Sequence, residues 1–244
     1  MRRLAIGVAL AATGALLWPS SEAPDLTGLW ARPDLEERAV RFYYFHPGGH
    51  GLYRYGDVGL NKTASFDYTV DDEVITLVFR KTGARHEVRY ALDGDALTLL
   101  DDPVELRSTR YTKRRGPIAE SNGHPMSRMW IHQQRYATGG MGFAMYQLQE
   151  PDADGRGNGW YHEGDYDDWS TEALRFHLRG DRMELEFEVR RERAVTKFDY
   201  QSEPKAIVLR ADPRNFGLWR DYRDGGRSFD AGLFHLVNTA SGPK

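Results

Sequence analysis

The chain of 244 residues contains no cysteine. That excludes disulfides, Cys-ligated zinc, iron–sulfur clusters and a thiol nucleophile. It also lacks an excess of one charge. Its 33 basic residues stand against 36 acidic ones, a formal net charge of -3, so no global cationic field is present to hold nucleic acid. After residue 30 there is no long segment of 3.6-residue periodicity, which argues against a helical body. What is present is 40% apolar and 12% aromatic residues. Those proportions suit a folded chain with a core and exclude wholesale disorder.

The start reads as an export signal. Met1-Arg2-Arg3 is positive, and Leu4 to Trp18 is an uncharged stretch rich in Ala, Leu and Val. Such a stretch is short for a bilayer span and suits a signal-peptide core. Ser21-Glu22-Ala23 has small residues at cleavage spacing, although Pro24 follows directly. Residues 1–23 are therefore expected to be a signal peptide or an N-terminal anchor, cleavage and retention both remaining open. No Cys follows the apolar run, so a lipoprotein-type attachment is excluded. The expected location is the periplasm or the cell exterior, with membrane contact only through an uncleaved N-terminal segment.

The body reads as strands. Phe66, Tyr68 and Val70 alternate with polar residues, as do Ile75, Leu77 and Phe79, and then Val88, Tyr90 and Leu92. Period two places each set on one face of a sheet. The connectors, among them Pro47-Gly48-Gly49, Thr82-Gly83 and Asp93-Gly94-Asp95, have turn chemistry and are too short for a crossover helix. The pattern predicts an antiparallel meander of about eight strands. They fall at 27–31, 40–46, 50–55, 64–70, 73–80, 85–92, 96–100 and 104–111.

Shifting the chain by 108 aligns residues 51–90 with 159–198 without a gap. Eight of the 40 pairs are identical, including Gly51/Gly159, Tyr53/Tyr161, Gly56/Gly164, Asp57/Asp165 and Thr63/Thr171. Chance at ordinary composition gives about two or three. Asp102-Pro103 meets Asp212-Pro213 further on, and Trp30 meets Trp130 at smaller shifts. The expectation is a duplicated small β unit. Residues 26–112 form one copy and 128–222 the other. Residues 113–127 (KRRGPIAESNGHPMS) have linker composition, and 223–244 form a C-terminal extension in which Phe229 to Val237 suggests one last strand.

The first unit opens with Gly28-Leu29-Trp30, and Asp95-Ala96-Leu97-Thr98-Leu99 comes later. Gly-x-Trp on a first strand, followed by a short-looped meander, resembles the lipocalin-like domains of exported bacterial proteins. The likeness covers most of 26–112 and is weaker in the second unit, where Trp130 lacks the preceding Gly. It implies two tandem up-and-down antiparallel barrels, each closed at one end by its Trp. An Arg of the last strand, Arg107 or Arg110, is expected to lie across Trp30. It also implies, in many members, an apolar ligand in the cup. The bulky inward set of Phe66, Tyr68, Ile75, Leu77, Phe79, Tyr90 and Leu92 argues for a filled interior instead.

Motifs for chemistry are sparse. Gly155-Arg156-Gly157-Asn158-Gly159 lacks the strand and helix of a nucleotide fingerprint and reads as a hairpin tip. Asp152, Asp154 and Glu163 mimic a calcium loop, but Arg156 occupies a ligand position. His46 and His50 straddle a turn without the further ligands that a metal needs. No catalytic residue, metal site or cofactor is assigned. If a ligand cavity exists, Trp160, Tyr161, Trp169 and His177 are its candidate lining. The function expected is non-catalytic binding of a small apolar or amphipathic molecule, or of an envelope partner. Two alternatives stay open: an isomerase- or hydratase-like enzyme acting on a lipid-like substrate between the units, and a structural subunit of the envelope.

Overall fold

A computed structural model of the protein describes residues 25–34, 39–57, 59–114, 123–137 and 139–226. The expected leader, residues 115–122 of the expected linker and the expected strand from Phe229 to Val237 lie outside those residues. The described chain is all-β. The first eight strands are β1 (Gly28–Ala31), β2 (Ala39–His46), β3 (His50–Asp57), β4 (Leu60–Asp71), β5 (Val74–Phe79), β6 (Arg85–Asp93), β7 (Ala96–Asp102) and β8 (Arg107–Arg114). Eight more follow: β9 (Met129–Arg135), β10 (Met141–Leu148), β11 (Arg156–Asp165), β12 (Asp168–Arg179), β13 (Arg182–Phe187), β14 (Glu192–Ser202), β15 (Lys205–Leu209) and β16 (Arg220–Asp224). A single 3₁₀ turn, Pro213–Asn215, joins the last two.

Each of the first eight strands pairs antiparallel with the next, and β1 also pairs with β8. The result is a closed eight-stranded antiparallel barrel, in which the first half of β4 is not covered by β5. Strands β9 to β16 likewise pair in consecutive order, and β16 meets β9 through Arg223↔Ile131 and Asp224↔Trp130. The two sets are joined where β4 pairs with β12, from Asp168↔Ala64 to Glu172↔Leu60. Strand lengths explain the join. β4 and β12 have 12 residues each, whereas β5 and β13 have 6. β5 covers β4 only over residues 66–71, and β13 covers β12 only over residues 174–179. The uncovered halves present unpaired backbone groups, and they satisfy each other.

Two glycines fix the hairpins that lead into β4 and β12. Gly56 (φ 131°) and Gly164 (φ 158°) each lie against the start of the following strand. A Cβ would come within 2.7 Å of Asn61 Cα at Gly56 and within 2.6 Å of Trp169 Cα at Gly164. No other residue type fits without displacing backbone.

Aromatic and aliphatic side chains fill the barrel. Trp30, Tyr43, Phe45, Tyr53, Phe66, Ile75, Leu77, Val88, Leu97, Leu99 and Tyr111 form one buried cluster. Within β9–β16, Trp130, Tyr146, Tyr161, Leu174, Phe176, Leu185, Phe187, Ile207, Leu209 and Tyr222 form another. The two clusters share details. Trp30 Nε1 donates to the Leu26 carbonyl at 2.7 Å, and Trp130 Nε1 to the Met126 carbonyl at 3.0 Å. Tyr43 and Tyr111 both donate to the carboxylate of Asp102, at 3.0 and 2.5 Å. Tyr146 and Tyr222 do the same to Asp212, at 3.0 and 2.5 Å. Both acids are buried. A register shift between Leu99 and Asp102 turns Asp102 inward, where strict alternation would have placed Asp101.

Three expectations are corrected. The eighth strand begins at Arg107, not 104, and Val104 and Leu106 lie in the preceding turn. Leu106 has φ 55° there and is exposed. Leu92, expected inside, is exposed near the end of β6, beyond the packed layer. The cation on Trp30 is Lys113, whose Nζ lies 5.1 Å from the ring centroid, while Arg107 and Arg110 are exposed. Position along β8 decides this. Lys113 pairs with Trp30 itself, and the two arginines lie further along the strand.

Candidate functional site

With the interior filled, space for a ligand is found between the two sets of strands. A groove of about 1220 Å³ runs beside the β4–β12 join. One wall carries His50, Asp67, Phe79, Arg80 and Lys81, and the other carries Tyr136, Met141, Asp165, Tyr166 and Asp167. Ladder continuity brings the walls together. The Ser65 amide donates to the Asp167 carbonyl at 3.0 Å, which extends the β4–β12 pairing by one step.

His50 and Asp67 are cross-strand partners in the β3–β4 ladder. His50 Nδ1 lies 2.5 Å from Asp67 Oδ1. Arg80 follows β5, and its Nη2 lies 2.6 Å from the same oxygen and 2.7 Å from His50 Nδ1. A guanidinium only donates. Nδ1 therefore either gives its hydrogen to Asp67 or accepts one from Arg80, depending on the tautomer. Partial burial works to raise the Asp67 carboxyl pKa. The hydrogen bonds from Arg80 and His50 outweigh it and hold the group below its ordinary value. Lys81 pairs with Asp165 across the groove. Asp167 behaves in the opposite way to Asp67. Burial, then the neighbouring charge of Asp165, raises its pKa, and Arg80 and Lys81 offset this only in part. The groove thus sets a carboxylate bound by two donors opposite one that resists ionisation, with the rings of Phe79, Tyr136 and Tyr166 between polar groups.

Behind the groove lies a second buried layer. Leu52 of β3 packs with Met129, Ile131, Phe143, Met145, Tyr166 and Trp169. Arg54 and His162 are buried here as well. Arg54 Nε donates to Thr63 Oγ1 at 2.8 Å, and burial lowers its pKa to about 10. His162 Nδ1 lies 2.7 Å from Thr171 Oγ1, and its Nε2 lies 3.2 Å from Gln147 Oε1. The amide oxygen only accepts, so Nε2 carries the hydrogen and Nδ1 accepts from the threonine hydroxyl. Burial first, and then the charge of Arg54, hold His162 well below the ordinary imidazole range.

The four residues singled out from sequence are dispersed. Tyr161 lies in the filled cluster of β9–β16. Trp169 belongs to the layer between the strand sets. Trp160 is half-buried on the opposite face of β11 from Tyr161. His177 lines a separate hollow of about 590 Å³ over β11–β14, with Asp152, Arg175, Glu184 and Arg193 around it. Asp152, first in the calcium-like spacing, accepts the amides of Asp154 and Arg156 through Oδ1 and so caps the hairpin tip. Among the described residues no group of three or more His, Asp or Glu is placed to hold a metal ion.

The groove residues escaped sequence reasoning because they come from distant segments. One local signal does mark the layer behind them. Gly142 to Tyr146 in β10 and Met129 to Ile131 in β9 are apolar at consecutive positions, as a strand covered on both faces must be. Comparisons with protein-family models, with curated proteins and with solved structures find no match to this chain.

Proposed function

We propose that the chain is an exported binding protein built of two tandem lipocalin-like barrels, and that its ligand sits between the barrels, not inside either. Support for the tandem reading comes from the recurring pairing order, the matched Trp–carbonyl bonds and the two Tyr–Asp–Tyr clusters. The single observation that carries the location is the contrast in packing. The barrel axes are occupied by side chains such as Tyr43, Phe66 and Phe187 with no exposed surface, while the groove is open and lined by both rings and charges. Such a lining suits a small amphipathic molecule: its apolar part lies on Phe79, Tyr136 and Met141, and its polar part reaches Arg80 or Asp167. The test is saturable binding of an amphipathic fluorescent probe to the full chain and to Met141→Glu. Loss of at least tenfold in affinity in the variant is expected. Unchanged binding, or no saturable binding by either protein, removes the reading.

A second reading places an enzyme at the same groove. It is favoured by His50, whose Nδ1 contact with the Asp67 carboxylate would orient the ring and leave Nε2 for general base work. His50→Gln separates the two readings. A binding protein keeps its probe affinity and has no turnover to lose, whereas an enzyme loses turnover while still binding.

A further inference from the structure

The lining of the groove beside the β4–β12 join carries two cations, Arg80 and Lys81, against three carboxylates, Asp67, Asp165 and Asp167. With His50 counted as neutral, one negative charge is in excess. Charges next to the lining leave that balance unchanged: Asp168, Glu87 and Glu163 stand against Lys62, Arg85 and Arg135. Both cations of the lining are engaged already. Arg80 Nε and Nη2 lie 3.1 and 2.6 Å from Asp67 Oδ1, and Lys81 pairs with Asp165. Asp165 Oδ1 also accepts the amides of Asp167 and Asp168, at 3.1 and 2.9 Å. Asp167 is different. Among the described residues nothing donates a hydrogen bond to its carboxylate and no cation pairs with it. Its main chain is fixed, since the Ser65 amide and hydroxyl both reach the Asp167 carbonyl, at 3.0 and 3.4 Å. Its side chain is half-buried. Burial and the charge of Asp165 work against its ionisation, so a positive group brought against it is favoured.

Aromatic rings line the same space. Tyr166 precedes Asp167 in the chain, and its ring centre lies 5.1 Å from that of Phe143, with its hydroxyl accepting from Gln133. Tyr136 lies over Gly142, where a Cβ would come within 2.1 Å of the hydroxyl oxygen, and it keeps 39% of its surface exposed. Phe79 is half-buried on the opposite wall. The face of such a ring attracts an ammonium group, alkylated ones included. An anion would have to take Arg80 from Asp67 or Lys81 from Asp165. A metal ion would find no group of three ligating side chains among the described residues. An organic cation needs neither, because one carboxylate and ring faces suffice. On the reading that the ligand sits in this groove, we propose that it is an ammonium amphiphile. Its head lies against Asp167 among the rings of Phe79, Tyr136 and Tyr166, and its apolar tail lies along Val78 and Met141.

The test is titration calorimetry on the full chain with three probes that share one tail. They are octyltrimethylammonium, octyl sulfate and octyl glucoside, each below its micelle concentration. The cation is expected to bind tighter than the other two by about tenfold or more. Asp167→Asn keeps the shape of the side chain and removes its charge. It is expected to abolish the preference and to leave the affinity for octyl glucoside unchanged. Asp168→Asn makes the same charge change one residue on, outside the lining, and is expected to keep the preference. Equal affinities for the three probes, or a preference for the sulfate, overturn the proposal and leave the reading of a groove ligand standing. No saturable binding of any probe removes that reading and the proposal with it. A preference that survives Asp167→Asn, or that Asp168→Asn also abolishes, places the recognition elsewhere and overturns the proposal as well.

Discussion

Lys62 and Ser170 face each other in the β4–β12 ladder, and 108 positions separate them, the same shift at which residues 51–90 match 159–198. The neighbouring pairs follow the same rule. Asn61 meets Thr171, and Thr63 meets Trp169, so each side carries the counterparts of the other in reversed order. This is the geometry of a twofold contact between like surfaces, here within one chain.

The contact depends on the layer around Trp169. Phe143 is 4% exposed there, and its ring centre lies 5.1 Å from that of Tyr166 and 5.8 Å from that of Trp169. Phe143→Ala is expected to cost about 3–5 kcal/mol, the range for truncating a buried aromatic. Val195→Ala, at an exposed position, is expected to change stability by less than about 0.5 kcal/mol. Guanidinium unfolding of both variants checks the difference.

Each buried aspartate inside the strands accepts two tyrosine hydroxyls and also turn amides: Asp102 from Val104, and Asp212 from Arg214. Asp102→Ala and Asp212→Ala strand two buried hydroxyls each. At about 1–3 kcal/mol per unsatisfied group, a loss of at least about 2 kcal/mol is expected at either site. Tyr111→Phe removes one donor and leaves the carboxylate its other partners, so about 1 kcal/mol is expected. Thermal unfolding of the three variants tests the order.

His162 gives the fold a pH dependence of definite sign. Its folded pKa lies well below the unfolded value, so the unfolded chain binds the proton more readily. The stability it supports is present above pH of about 6.5 and falls as the pH drops below that, by up to about 1.4 kcal/mol per unit. Asp67 is also depressed, but its contribution is lost only around and below pH of about 4, outside that window. Urea midpoints measured between pH 7 and 5 are expected to fall for the parent and to fall less for His162→Gln.

Much of the fold was legible in the residues. Alternation at Phe66, Tyr68 and Val70, or at Ile75 and Leu77, reports a half-buried strand directly, and turn residues mark the ends. The errors fall where alternation has a second cause. Val104 and Leu106 keep period two in a turn that Asp102 organises, and nothing local distinguishes that turn from a strand. The groove was not legible. His50, Asp67 and Arg80 meet through ladder register, and Asp165 and Asp167 join them only because short β5 and β13 leave two edges to pair. Aromatic type, together with the greater polarity and longer hairpins of the second unit, pointed to Trp160, Tyr161, Trp169 and His177, but neither says which face of a strand or which layer a side chain occupies.

The location of the ligand is the claim on which the rest turns, and amide chemical-shift mapping with one amphipathic probe tests it most directly. Saturable shifts are expected at the groove positions Arg80, Gly83, Gly140 and Tyr166, with Leu77, Leu99, Leu185 and Leu209 unmoved. Shifts concentrated at those four leucines, with the groove silent, would contradict the account.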